Sequence, residues 1–145
     1  MKVTILLADS AQAIGGKLYI LGGGWSVIGP NPSPMALAIK IEVPWNEANI
    51  SHQLHLTLCD EDGHPIQVPT PTGDQPFEIK SSFEVGRPAG IRVGTPIDLA
   101  LALNIAPLPL RPNNRYVWHC FIDEKTDENW QVSFSTRPQQ TPPSA

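Results

Sequence analysis

Apolar and polar residues alternate along this chain with period two, the spacing that sends successive side chains to opposite faces of a β-strand. In MALAIKIEV, Met35–Val43, one face carries Leu37, Ile39, Ile41 and Val43, and the other carries Ala36, Ala38, Lys40 and Glu42. HQLHLTLCD, His52–Asp60, sets Leu54, Leu56 and Leu58 against His55, Thr57 and Cys59. IDLALALNI, Ile97–Ile105, sets five branched aliphatics against Asp98, Ala100, Ala102 and Asn104. Pro96 and Pro107 bracket that run, and the strict alternation argues for a strand over a helix. Residues 3–8 and 17–21 read as a hairpin-like pair around the Ile14-Gly15-Gly16 turn signal. FEIKSSFEV, 77–85, keeps Phe77, Ile79, Phe83 and Val85 in one register. The closing pair, RYVWHCFIDEK and ENWQVSFST, turns Tyr116, Trp118, Cys120, Ile122, Trp130, Val132 and Phe134 toward the core.

Between these runs lie turn-formers. GPNPSP at 29–34 and VPTPTGDQ at 68–75 read as surface loops, because proline removes a ladder donor. Asp62-Gly63 reads as a turn apex, and NEAN at 46–49 as a single helical turn. The pattern predicts an all-β fold: an antiparallel β-sandwich, jelly-roll-like or Ig-like, of about eight strands with little helix. A chain of 145 residues suits one domain, 1–137, followed by a flexible proline-rich tail at 138–145. Glycine and proline make 27 residues (11 + 16), spread at intervals, which suits many short strands joined by turns.

Charge narrows the partners. The net charge is −4 and the ten basic residues are scattered. Nucleic-acid binding needs a basic stripe to neutralise phosphates, and an anionic membrane needs the same, so neither is expected. The first apolar run, 3–8, is interrupted by Asp9 and falls short of a signal-peptide core, so a cytoplasmic location is expected. Cys59 and Cys120 lie in separate strands; two cysteines do not make a disulfide framework, and whether they pair stays open.

The run KLYILGGGWSVIGP raises the sharpest chemical question. Gly22, Gly23 and Gly24 are followed by Trp25, with no Lys-Ser/Thr and no helical pattern, so the run lacks the context of a phosphate cradle. The glycines instead supply positive φ or let backbone pass close to a bulky group such as the Trp25 ring. His52 and His55 are three apart and point to opposite faces of a strand, unlike the His-x-His of a cupin. A metal would need His55 and His119 on neighbouring strands, joined by an acidic residue. DEDG at 60–63 resembles the start of a calcium loop but lacks its later ligands and flanking helices, and reads as a solvated acidic turn. His119 and Cys120 are adjacent and so alternate to opposite faces, and no nucleophile elbow is present. The second faces carry Ala36, Ala38, Ala100, Ala102, Val117 and Phe121 where a solvated sheet would be polar. Either a partner or ligand covers them, or the chain's own proline-rich loops do.

The stretches LLADSAQAIGGKLYILGGGW, ALAIKIEVPWNEAN and YVWHCFIDE…WQVSFSTRP resemble a family of small uncharacterised bacterial proteins of the actinobacterial type, up to Pro138. The resemblance implies a bacterial cytoplasmic origin and carries over no catalytic residue. The expected function is therefore non-enzymatic: binding or self-assembly with no cofactor, the partner being a second copy or another protein. Trp25 and Trp45 beside Gly22–Gly24 are the candidate recognition surface, since rings give contact area at small entropic loss. Ala100, Ala102 and Asn104 are the candidate self-contact. The alternatives are a cupin-like metal-dependent enzyme built on His55 and His119, and a carbohydrate-binding module by analogy with sandwiches that stack sugars on tryptophan.

Overall fold

The structure, a computed structural model, describes residues 1–140. Eleven strands form three sheets: β1 Lys2–Ile14, β2 Lys17–Gly23, β3 Val27–Ile28, β4 Met35–Val43, β5 His52–Asp60, β6 Gln67–Thr70, β7 Gly73–Pro76, β8 Glu78–Phe83, β9 Ile97–Ile105, β10 Arg115–Ile122 and β11 Gln131–Thr136. A single 3-10 turn, Trp45–Glu47, is the one helical element among the described residues. The all-β expectation holds. The count of about eight strands does not, for two local reasons. The 68–75 segment, expected as a loop, forms most of the β6–β7 hairpin around Pro71-Thr72. Short β3 pairs parallel with β11 through Val27↔Ser135 and Ile28↔Thr136. Strand β1 also runs six residues past Ala8, through Asp9, which lengthens an expected strand without adding one. The flexible tail expected at 138–145 falls in part, at 141–145, outside the described residues.

A four-stranded sheet has the order β2-β1-β4-β9 and a five-stranded sheet the order β3-β11-β10-β5-β8. Both feed one core. Val3 and Leu7 of β1 and Leu37, Ile39, Ile41 and Val43 of β4 meet Leu54, Leu56 and Leu58 of β5, Trp118 and Cys120 of β10 and Phe134 of β11. Trp118 is fully buried between Leu58 and Val132 on its two neighbouring strands. Each large aliphatic buried this way contributes about 1.5–3 kcal/mol by leaving water.

The four-stranded sheet curls. Residues 2–8 of β1 pair with β4, but beyond Ala8 the strand pairs only with β2 and swings toward β9. There the Ala11 N–H donates to Asn104 Oδ1 (3.2 Å) and Asn104 Nδ2 donates to the Ala11 carbonyl (2.8 Å). Ala8, Ala11, Ala36 and Ala38 close into a second small core, with Leu18 and Ala102 at its margin. Alanine is what this geometry requires, since a longer side chain would hold the returning hairpin off the sheet.

Candidate functional site

The hairpin of β1 and β2 is the part of the molecule least reconciled with water. Gly15 and Gly16, both at positive φ (58° and 75°), make the two-residue turn that joins Ile14 to Lys17. Such a turn matches the twist of the flanking strands and favours glycine for that reason. Past the turn, β2 carries Leu18, Tyr19, Ile20 and Leu21 in a row, so both of its faces are apolar. One face, with Leu18 and Ala11, lies toward the alanine core. The other is open: Tyr19 is 54 %, Leu21 71 % and Ile14 57 % exposed. Of eight exposed large hydrophobics among the described residues, Leu6, Ile14, Tyr19, Ile20 and Leu21 all belong to this hairpin. Strand β2 is also a sheet edge, with β1 as its sole partner.

Gly22 answers for part of the triple glycine. It takes φ 59°, and a Cβ there would collide with the Asp9 carboxylate, which crosses over it from β1. The bulky neighbour is thus Asp9, not the Trp25 ring. Gly23 lies against Ile20, and the Gly24 N–H donates to the Leu7 carbonyl (2.7 Å). Trp25 is half-buried at the core margin, edge-on to Phe134 with ring centroids 5.9 Å apart. Beside it, Asp9, Ser33, Pro34 and Arg137 line a cleft of about 270 Å³. Trp45 is also half-buried. Arg87 lies over its ring, 4.5 Å from the centroid, and donates to its carbonyl. Trp25 thus neighbours the residues just before β4 and Trp45 follows its end, a separation on the order of 25 Å at about 3.3 Å per residue. The two tryptophans do not share one surface.

The alanine faces also have an occupant. Ala36, Ala38 and Ala102 pack with the chain's first hairpin, not with its proline-rich loops, and Asn104 is engaged by the Ala11 backbone. Ala100 stands half-buried opposite Lys40.

On the outer side of the five-stranded sheet the strand part of the histidine condition is met. β5 and β10 are neighbours, with Phe121 opposite His55 and His119 opposite Thr57, so His55 and His119 are diagonal on one face. The acidic part is not: Glu78 of β8 reaches only one of the two histidines, its carboxylate meeting His55 Nε2 at 2.8 Å and Lys80 at 3.3 Å. The His55 hydrogen bond, with help from Lys80, holds the Glu78 carboxyl below its usual range. The only group of three metal-type ligands that converge among the described residues is elsewhere: Asp60, Asp62 and His64 in the acidic turn. There Asp60 Oδ1 already accepts the N–H groups of Asp62 (3.0 Å) and His64 (2.9 Å), which marks a self-bonded turn.

Neither thiol is poised to react. Burial raises the Cys59 thiol, with Asp60 adding to the effect against a hydrogen bond to Thr57, and burial pushes Cys120 up to about 11. Cys59 lies opposite Val117 on the outer face and Cys120 opposite Leu56 on the core face, so the two cannot bridge and both are free.

His52 has no sequence signal, because its partner lies 71 residues away. It is buried against Phe83 (ring centroids 5.3 Å), with Nδ1 at 2.6 Å from Asp123 Oδ2 and Nε2 at 2.8 Å from the Glu47 carbonyl. Both ring nitrogens face acceptors, so the imidazolium, which donates from both, is the form that fits. Burial alone would lower its pKa; the Asp123 hydrogen bond, the Glu47 carbonyl and the two carboxylates' charges outweigh that and raise it.

No curated protein and no solved structure matches the chain. A family model matches residues 3–134, and the chain belongs to that family, the family of unknown function DUF6941. No helix among the described residues is long and apolar enough to cross a membrane.

Proposed function

We propose, proceeding from that membership, that the protein is a bacterial, cytoplasmic β-sandwich module that acts by association and not by catalysis, with the β1–β2 hairpin as its contact surface. One observation carries this: most of the large apolar exposure gathers on one hairpin that is also a bare sheet edge. Contiguous apolar surface on a folded chain marks a place that another protein covers. Native mass spectrometry of the full chain, beside a denatured spectrum, tests the reading. A multimer without adduct supports it. A monomer overturns it, and a monomer carrying a stoichiometric metal or small molecule points instead to a second reading. That reading is a metal-dependent activity on the outer face of the five-stranded sheet, favoured by the way His55, His119 and Glu78 share that face.

A further inference from the structure

We infer that two copies of this chain join through β2, edge to edge and antiparallel, about a two-fold axis at Tyr19. This rests on the association reading and names its partner and register. The two-residue turn makes Ile14–Lys17 a hydrogen-bonded pair. Pairs then alternate along the ladder, so the N–H and C=O groups of Leu18 and Ile20 point away from β1, to the side where β2 has no neighbour. A row of such groups is completed by another strand, because backbone pairs with backbone at this spacing.

The second copy is the strand that fits. A two-fold axis at Tyr19 sets Leu18 opposite Ile20 of the other copy, Ile20 opposite Leu18, and Lys17 opposite Leu21. The outward-facing backbone groups of the two chains then meet in two hydrogen-bonded pairs. Tyr19 meets its own counterpart in the intervening close pair, where an aromatic pair adds to the contact. Leu21 of each chain covers the aliphatic stem of the other's Lys17. The charge pattern allows it. Although the chain carries −4, residues 2–23 hold Lys2 and Lys17 against Asp9, so the chain's negative charge is not concentrated at this edge. The two Lys17 ammoniums sit apart, each four residues from the other's row, about 13 Å along the strand. Gly22, at φ 59° beneath Asp9, bends the strand out of regular pairing and ends the usable edge at Leu21. The contact is isologous and closes on itself as a dimer, joining the two four-stranded sheets into one of eight.

Tyr19→Cys in the full chain tests the register. A close antiparallel pair brings the two Cα atoms to about 4.5 Å, within disulfide reach. Mild oxidation is expected to convert most of this variant to a covalent dimer. The wild type, and Ile14→Cys on the neighbouring strand of the same face, should remain uncrosslinked. Tyr19→Arg sets like charges face to face and is expected to raise the dimer Kd at least tenfold while the monomer stays folded by circular dichroism. A multimer that neither crosslinks at position 19 nor weakens with Tyr19→Arg overturns this register and leaves the association reading standing. A monomeric wild type overturns both.

Discussion

The two sheets share one core, yet their outer sides end in opposite ways. Behind the four-stranded sheet lie Ala8, Ala36 and Ala38, sealed by the chain's own hairpin. Behind the five-stranded sheet lie His55, Thr57, Cys59, Val117, His119 and Phe121, half-exposed and open to solvent. The same alternation produces both, so period alone does not say which faces are wet. What separates them is side-chain size and polarity at the outward positions. Alanine admits a second layer of backbone at close range, whereas imidazole, hydroxyl and carboxylate keep their hydrogen bonds to water or to one another.

The largest effect expected from this contrast comes from placing a charge on the sealed side. Ala38→Lys leaves an unpaired ammonium beneath the hairpin and should remove about 3–5 kcal/mol of stability by denaturant unfolding. A value near zero would mean that the hairpin lifts off the sheet without resistance, and the contrast would fail. Next comes the clasp that holds the hairpin down. Asn104→Leu strands the N–H and carbonyl of Ala11 and should destabilise by about 1–3 kcal/mol. Amide exchange should quicken in β2 and the second half of β1 while β5 and β10 keep their protection. Uniform quickening would show that the hairpin is not a separate layer.

His52 sharpens the contrast from the other sheet, as a charged group on the core side. Its folded pKa is raised above the unfolded value, so its stabilisation is fully present below about 6.5 and lost as pH rises through the folded pKa. The groups facing it are Asp123, whose carboxyl the His52 hydrogen bond and the Gln53 N–H hold below the usual range, and Glu47. The stability difference between wild type and His52→Gln should therefore be larger at pH 5.5 than at pH 8.5. A difference that grows with pH would show the imidazole to be neutral in the folded chain. The smallest effect belongs to the open face. Thr57→Lys, the same charge as in the first variant, should change stability by no more than about 0.5 kcal/mol. A loss comparable to that of Ala38→Lys would mean that this face, too, is covered.

Much of the fold was legible because strand periodicity is a local property. β4, β5 and β9 have the bounds that their alternation predicts, and the 3-10 turn Trp45–Glu47 falls where NEAN begins. Less of the site was legible. The outward alanines announced that something lies over them, but not that the something is the first hairpin. Asp9, a charged residue that reads as a strand break, instead rides over Gly22 in mid-strand. Tyr19 and Leu21 carried a signal, since KLYIL is apolar on both faces, but a strand buried on both sides reads the same way.

The sequence by itself determined what each short segment is: strand or turn, which residues share a face, and that no segment is a long helix. These follow from steric rules acting over two to four residues. Only the tertiary structure decided which faces meet. It brought Asn104 to Ala11 across 93 residues, paired His52 with Asp123 across 71, set the two tryptophans apart along β4, and left one side of β2 unpaired. Those outcomes depend on how the two sheets curl and pack against each other, and the free energy of that packing belongs to pairs of residues that no local pattern connects.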